Sequence, residues 1–149
     1  MEEDLIQAFW EEKVAAPLID GLAKTQDIEF CKARGDALFE EKSYENALIH
    51  YHAALKINPK DAWLLNKRAV TFCRLKNFEK ALLDYTEAIA LEPDSAFFYN
   101  RGLLLKELKR VEEAASDFMK ALELNPWNED VMSLIISLRL KEKINIPYF

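Results

Sequence analysis

A chain of 149 residues, half of them hydrophobic, 31% charged and with only three glycines, has the length of one domain and a composition that favours helix over strand. The net charge of −6 is concentrated in the first 27 residues, where seven acids face two lysines, and no basic stripe or Lys/Arg-rich amphipathic helix follows, which argues against nucleic acid and membrane surfaces as partners. The acidic start does not resemble a signal peptide, no apolar run approaches the roughly 20 residues of a membrane span, and the lone Cys31 and Cys73 fit a reducing compartment, so a cytoplasmic protein is expected.

Residues 1–27 are expected to form a helical extension. Ile6, Trp10, Val14, Leu18 and Leu22 make a stripe at i, i+4 spacing, with Leu5 and Phe9 beside it. Pro17 interrupts the stripe, so two short helices or one kinked helix are expected. The extension is expected to cap the unit that follows. Two other placements stay open: within a groove of the domain as an internal ligand, or between two copies of the chain.

From residue 28 a period takes over. Pro59, Pro93 and Pro126 stand 34 and 33 residues apart. Aligning on them brings small residues into columns at Gly35, Ala69, Gly102, at Ala47, Ala81, Ala114 and at Ala54, Ala88, Ala121, with an aromatic column at Tyr51, Tyr85, Phe118. Apolar residues at helical spacing, such as Leu48, Tyr51, Leu55 and Leu82, Tyr85, Ile89, give each unit one stripe to bury. A proline cannot continue a helix and so ends one. Residues 28–61, 62–94 and 95–127 therefore read as three pairs of antiparallel helices, none of which buries its apolar face alone; stacking buries it. The interval between Pro93 and Gly102 lacks one residue, which is expected to shorten a turn or shift the start of the next helix.

Residues 128–149 close the chain. The stretch EDVMSLIISLRLKEK, 129–143, has acids at its start and lysines at its end, as the helix dipole favours, and Val131, Leu134, Ile135 and Leu138 form the stripe of a capping helix. Met132, Ile136 and Leu140 form a second stripe. Either the tail KINIPYF folds back over it, or it is an exposed face for self-association or a partner.

No catalytic or metal-binding pattern occurs in the sequence. His50 and His52 are the two histidines, and at i, i+2 they point to different sides of one helix; there is no CxxC, HExxH or glycine-rich phosphate loop. No enzyme activity and no cofactor are expected, and Cys31 reads as packing. Arg34, Arg68 and Arg101 directly precede a small-residue column. Asp84 and Asp117, on the partner helices, are expected to pair with the last two, with His50 in the acid's place for Arg34, each pair contributing about 0–1 kcal/mol.

The columns resemble the tetratricopeptide repeat, whose pattern is a large residue, Gly or Ala, a tyrosine-like residue, Ala, an aromatic, Ala and Pro. Gly35, Leu38, Ala47, Tyr51, Ala54 and Pro59 carry it in the first copy. Leu65, Ala69, Phe72, Ala81, Tyr85, Ala88 and Pro93 carry it in the second, and Phe98, Gly102, Leu105, Ala114, Phe118, Ala121 and Pro126 in the third. Cys31 departs from the pattern, standing where the family prefers tryptophan. The resemblance implies an all-α, right-handed solenoid of three helix hairpins, whose first helices line a concave groove that binds peptides.

In the family's chaperone adaptors that groove holds a C-terminal carboxylate with five polar residues. Carried onto this sequence, they fall on Lys32, Asp36, Asn66, Ala96 and Asn100, where the family has Lys, Asn, Asn, Lys and Arg. Two of the five match. Asp36 is expected to pair with Lys32, which leaves the carboxylate clamp broken. The other groove positions that the resemblance implies are Phe39, Trp63, Val70, Tyr99 and Leu103, with Glu29, Glu40, Arg74, Lys106 and Glu107 among them: apolar anchors between charges.

The expected function is that of a protein–protein interaction module, an adaptor or co-chaperone-like unit that takes a peptide segment with apolar side chains. Two alternatives stay open. One is a type III secretion-like chaperone for hydrophobic cargo; the other is a self-assembling structural unit that forms a homodimer through its terminal helices.

Overall fold

The computed structural model describes residues 1–146, among which nine α-helices and one π-helical turn follow one another without a strand. They are α1 (Glu2–Trp10), the π turn Glu11–Ala15, α2 (Ala16–Thr25), α3 (Ile28–Glu40), α4 (Tyr44–Ile57), α5 (Ala62–Arg74), α6 (Phe78–Leu91), α7 (Ser95–Glu107), α8 (Val111–Leu124) and α9 (Glu129–Lys141). Asp27, Asp61, Asp94 and Asn128 recur at the repeat spacing, and each accepts a backbone N–H from the first turn of α3, α5, α7 or α9. Pro59, Pro93 and Pro126 follow the ends of α4, α6 and α8, as a residue without an N–H should. The residue missing after Pro93 is taken from the turn: Asp94 caps α7 directly, whereas Lys60 intervenes between Pro59 and Asp61.

Within each hairpin the chain reverses through a lysine in the left-handed region. Lys42, Lys76 and Lys109 have φ of 61°, 61° and 62°. Beyond them the N–H groups of Ser43, Asn77 and Arg110 donate to the carbonyls of Leu38, Phe72 and Leu105, which closes α3, α5 and α7. The two helices of a hairpin then approach through the small columns. A Cβ added to Gly35 would lie 2.6 Å from the Tyr51 ring, and one added to Gly102 would lie 2.7 Å from Phe118. Ala47, Ala54, Ala81, Ala88, Ala114 and Ala121 are fully buried beside those rings. Neighbouring hairpins stack as α4 on α5, α6 on α7 and α8 on α9, and three apolar clusters follow one another along the solenoid. The first helices are linked to one another, α5 packing on α7 and side-chain bonds joining α3 to α5 and α5 to α7, as expected of the inner side of the curve.

The N-terminal segment runs along the outer side. α1, the π turn and α2 form one continuous rod, because the backbone stays helical at Glu11 and at Ala16. Ala16 N–H donates to the Glu11 carbonyl, five residues back, and the widened turn lies just ahead of Pro17, which has no N–H to offer. The extra residue rotates the apolar face. Trp10, Ala15, Ile19 and Leu22 turn toward the body, whereas Leu5, Ile6, Phe9, Val14 and Leu18 of the expected stripe are exposed. α2 packs on α4, with an ion pair between Asp20 and Lys56, and Glu11 reaches Lys80 of α6 at 3.3 Å. The extension therefore covers the second helices of the hairpins, and the groove placement is not the one observed.

At the other end α9 repeats the construction of a first helix. Asn128 caps it, Lys143 follows it with a φ of 52°, and Val131, Ile135 and Leu138 are buried against α8. Ile136 stands at the position held by Gly35, Ala69 and Gly102 in the repeats. Ile136 and Leu140 are left 53% and 74% exposed, while Met132 packs against the core. The described part of the tail folds back onto the core. Ile144 and Ile146 join the α8–α9 cluster, and Arg139 donates to the Ile146 carbonyl. Pro147, Tyr148 and Phe149, the rest of the tail expected over that stripe, lie outside the described residues.

Candidate functional site

Helices α3, α5 and α7 present matching positions to the inner side: Lys32, Asn66 and Tyr99 form one column, and Asp36, Val70 and Leu103 another. Between α3 and α5 the side chains of Asp36, Phe39, Asn66, Lys67 and Val70 border a recess of about 330 Å³, with Tyr51 at its floor. Asp36 organises its polar edge. The Tyr51 hydroxyl donates to one carboxylate oxygen at 2.7 Å, and the Lys67 ammonium donates to the other at 2.5 Å. Burial pushes the Tyr51 phenol pKa far up, and the hydrogen bond to Asp36 and its negative charge add to the shift, so Tyr51 remains a donor.

The expected pairing of Asp36 with Lys32 does not form. Lys32 Nζ lies 3.3 Å from Asp61 and 3.5 Å from Glu29. One oxygen of Asp61 is occupied by the Leu64 N–H that starts α5, and the other is left facing Lys32 across the hairpin stack. Burial works against the Lys32 charge, but Asp61 and Glu29 outweigh it and raise the pKa above its ordinary value. Lys67 was not among the sequence-predicted residues. Its signal was its place directly before Arg68, the place Asn100 holds before Arg101. Asn66 instead accepts from the Asn100 amide at 3.0 Å, which ties α5 to α7.

The other expected groove residues are dispersed along the same inner helices. Arg74 lies over the Phe39 ring at 6.0 Å, and the opposite neighbour of that ring is Tyr44 at 5.2 Å, so Phe39 is held in place as one wall of the recess. Trp63, 46% exposed, leans edge-on against Phe97 at 4.8 Å. Tyr99 is half-buried with its ring 6.3 Å from Phe118, and it faces a separate recess beside Ser95 and Leu124. Leu103 is exposed and Lys106 half-exposed on α7. Ala96 packs against the core of the first two repeats. The recess thus gathers Asp36, Phe39, Asn66 and Val70, but not Lys32, Trp63, Tyr99, Leu103 or Lys106.

The arginine column is structural. Arg68 grips Asp84 through two bonds of 2.7 Å, and Arg101 grips Asp117 through two of 2.8 Å. Both aspartates are buried, which makes these pairs costlier to break than the exposed pairs expected from the sequence. The first repeat differs. His50 makes no bond to Arg34; burial and the Arg34 charge lower its pKa, and its buried Nδ1 has no hydrogen-bond partner among the described residues. Cys31 is fully buried and its thiol pKa is raised by burial, as fits a packing residue. Among the described residues no three His, Cys, Asp or Glu side chains are close enough to hold a metal ion, and no helix is long and apolar enough to cross a membrane.

Models of the tetratricopeptide repeat match residues 35–76, 62–95 and 95–128. The Hsp70-Hsp90 organizing protein of Triticum aestivum is 30% identical over 115 residues, 76% of this chain and 19% of that protein, so the chain spans about a fifth of that relative's length. Among solved structures, the first repeat domain of Spaghetti (RPAP3) bound to the HSP90 peptide SRMEEVD superposes with a TM-score of 0.75 at 26% identity, covering 79% of this chain and 94% of that one. The Arabidopsis OM64 TPR domain superposes with a TM-score of 0.72 at 32% identity, covering 76% and 95%. With the hairpins, the small and aromatic columns and the inner groove all in place, the chain belongs to the tetratricopeptide repeat family.

Proposed function

We propose that this chain is a peptide-binding adaptor of the co-chaperone kind, which seats apolar side chains of a partner segment in the recess between α3 and α5. The supporting observation is that recess itself: its apolar walls are Phe39 and Val70, and Asp36 at its polar edge is already paired with Lys67 and Tyr51, with Glu40 the other acid of the lining. An anchor placed there loses little, because no charge has to be stripped of its partner. A peptide carboxylate has to compete with Asp36 for Lys67 and with Asp61 for Lys32. It also finds Ala96 and Asn100 where the family's clamp has cations. Two missing charge-assisted hydrogen bonds remove about 3–6 kcal/mol, and about 1.4 kcal/mol is tenfold in affinity.

The second reading is an acidic C-terminal segment like the one bound by the Spaghetti domain, favoured by the likeness of the two folds. Selection from a random peptide library separates the two. The expected outcome is enrichment of sequences with large apolar side chains and no requirement for a free C-terminus, with SRMEEVD binding no better than about millimolar. Micromolar binding of SRMEEVD that is lost in Lys32→Ala overturns the apolar reading in favour of the acidic one.

A further inference from the structure

A second recess lies on the opposite side of the molecule, under the π turn of the N-terminal rod. It measures about 410 Å³, within the range of sites that hold small organic ligands. Its apolar walls are Trp10 and Ile19 from the rod, Leu48 and Ile49 from α4, and Phe72 and Leu75 from the second repeat, with Gln7 and Asn77 as polar neighbours. His52 stands among these walls with one ring nitrogen unpaired. His52 places Nδ1 2.7 Å from the Leu48 carbonyl, so Nδ1 carries the proton and donates, and Nε2 is left as an acceptor with no protein partner among the described residues. The Phe72 ring, 6.0 Å away and nearly perpendicular, fixes the imidazole plane. The rim charges Glu11 and Lys80 are bound to each other at 3.3 Å, and Glu45 adds a further acid beside them.

We propose that this recess is a binding site for a small, neutral, apolar molecule bearing one hydroxyl group, a phenol or a compact alcohol, whose hydroxyl donates to His52 Nε2. The walls reward an uncharged body, and the unpaired His52 nitrogen among them selects a donor. An anion is disfavoured by Glu11 and Glu45, and the one cation near the rim is already engaged. Burial lowers the His52 pKa, with the Arg68 charge acting in the same direction, so the ring remains an acceptor at neutral pH. The π turn is the device that opens the space: an all-α register would turn Val14 and Leu18 toward α4, whereas the inserted residue turns the small Ala15 inward. The site shares no lining residue with the recess between α3 and α5, since its walls come from the rod, α4 and the C-terminal end of α5 with the turn after it.

The test uses the full chain and three probes of the same ring system: 2-naphthol, naphthalene and 2-naphthoate. Methyl NMR titration is expected to show saturable shifts at Ile19, Leu48, Ile49 and Leu75 with 2-naphthol, in order of affinity naphthol, naphthalene, naphthoate, the first two separated by about fivefold or more. His52→Phe should bring naphthol and naphthalene to equal affinity. Ala16→Leu, a change at an exposed residue on the rim, should abolish binding of all three while circular dichroism stays unchanged. Absence of saturable shifts at these methyls overturns the site. Naphthoate binding as tightly as naphthol, or a naphthol preference that survives His52→Phe, overturns the ligand class.

Discussion

Lys67 of α5 reaches back 31 residues to Asp36 of α3, and the same carboxylate accepts the Tyr51 hydroxyl from α4. One aspartate thereby joins three helices at the inner surface. The two bonds differ in kind. The Lys67–Asp36 pair is more than a third exposed on both sides, so removing the lysine should cost only about 0–1 kcal/mol. Asp36→Ala leaves the buried Tyr51 hydroxyl without its acceptor and should cost about 1–3 kcal/mol. Urea unfolding of the two variants checks the order; a larger loss for Lys67→Ala would contradict it.

The buried arginine–aspartate pairs should behave differently. Arg68→Ala leaves Asp84, with a side chain 7% exposed, in the core without a counter-charge. Because Arg68 itself is partly exposed, the expected cost is toward the lower end of the range for such pairs, about 3 kcal/mol. Arg34→Ala in the first repeat, where the arginine has no ion pair among the described residues, should change stability by no more than about 0.5 kcal/mol. Equal losses for the two, measured by denaturant unfolding, would show that Arg68 is not satisfying a buried charge.

Gly102→Ala sets two effects against each other. Alanine is the better helix former by about 1 kcal/mol, but its Cβ would stand 2.7 Å from the fully buried Phe118 ring, and overpacking costs about 1–3 kcal/mol. The net should be a loss of about 1 kcal/mol, which is a fall in Tm of roughly 2–4 °C for a domain this size. Ala69 shows that the hairpin accepts a methyl when the partner ring is placed for it. Gly21→Ala, with no atom near the added Cβ, should instead raise Tm. A rise for both would mean that the ring moves freely.

The histidines give stability a dependence on pH above the carboxylate range. Burial lowers the pKa of both His50 and His52 in the folded state, and the charges of Arg34 and Arg68 respectively add to the effect. Below the ordinary value of 6.5 the unfolded chain binds protons that the folded chain refuses, so stability is full above that value and declines as the pH falls. Tm should therefore drop between pH 7.5 and pH 5.5. Around His52 the charged neighbours include Arg68 and Lys80, which oppose the proton, and Asp84 and Glu11, which favour it. His52→Phe should flatten the decline; an unchanged slope would assign it to other groups.

How much of this was visible beforehand depends on how far apart the interacting residues lie. The hairpins were legible because the prolines, the small columns and the aromatic column are local features that recur, and each has a steric reason. The turn lysines at positive φ were not, since that position ordinarily announces itself with glycine. The rotated face of the N-terminal rod was hidden as well: a π turn leaves no mark but Pro17, and one inserted residue exchanges Val14 and Leu18 for Ala15 and Ile19. At the groove, Lys32 and Asp36 could be assigned to one surface, and Lys67 could not. Which lysine wins Asp36 is decided by the α3–α5 geometry, where Asp61 draws Lys32 away.

The most direct test of the groove is calorimetric titration of a library-selected apolar peptide into the wild-type chain and into Val70→Asp. Val70 lines the recess without being fully buried, so the variant should keep its helical circular dichroism. The account predicts at least about a tenfold loss of affinity, because a charge would then stand where an apolar anchor is seated. Equal affinity in the two proteins would contradict it and place the ligand elsewhere on the solenoid.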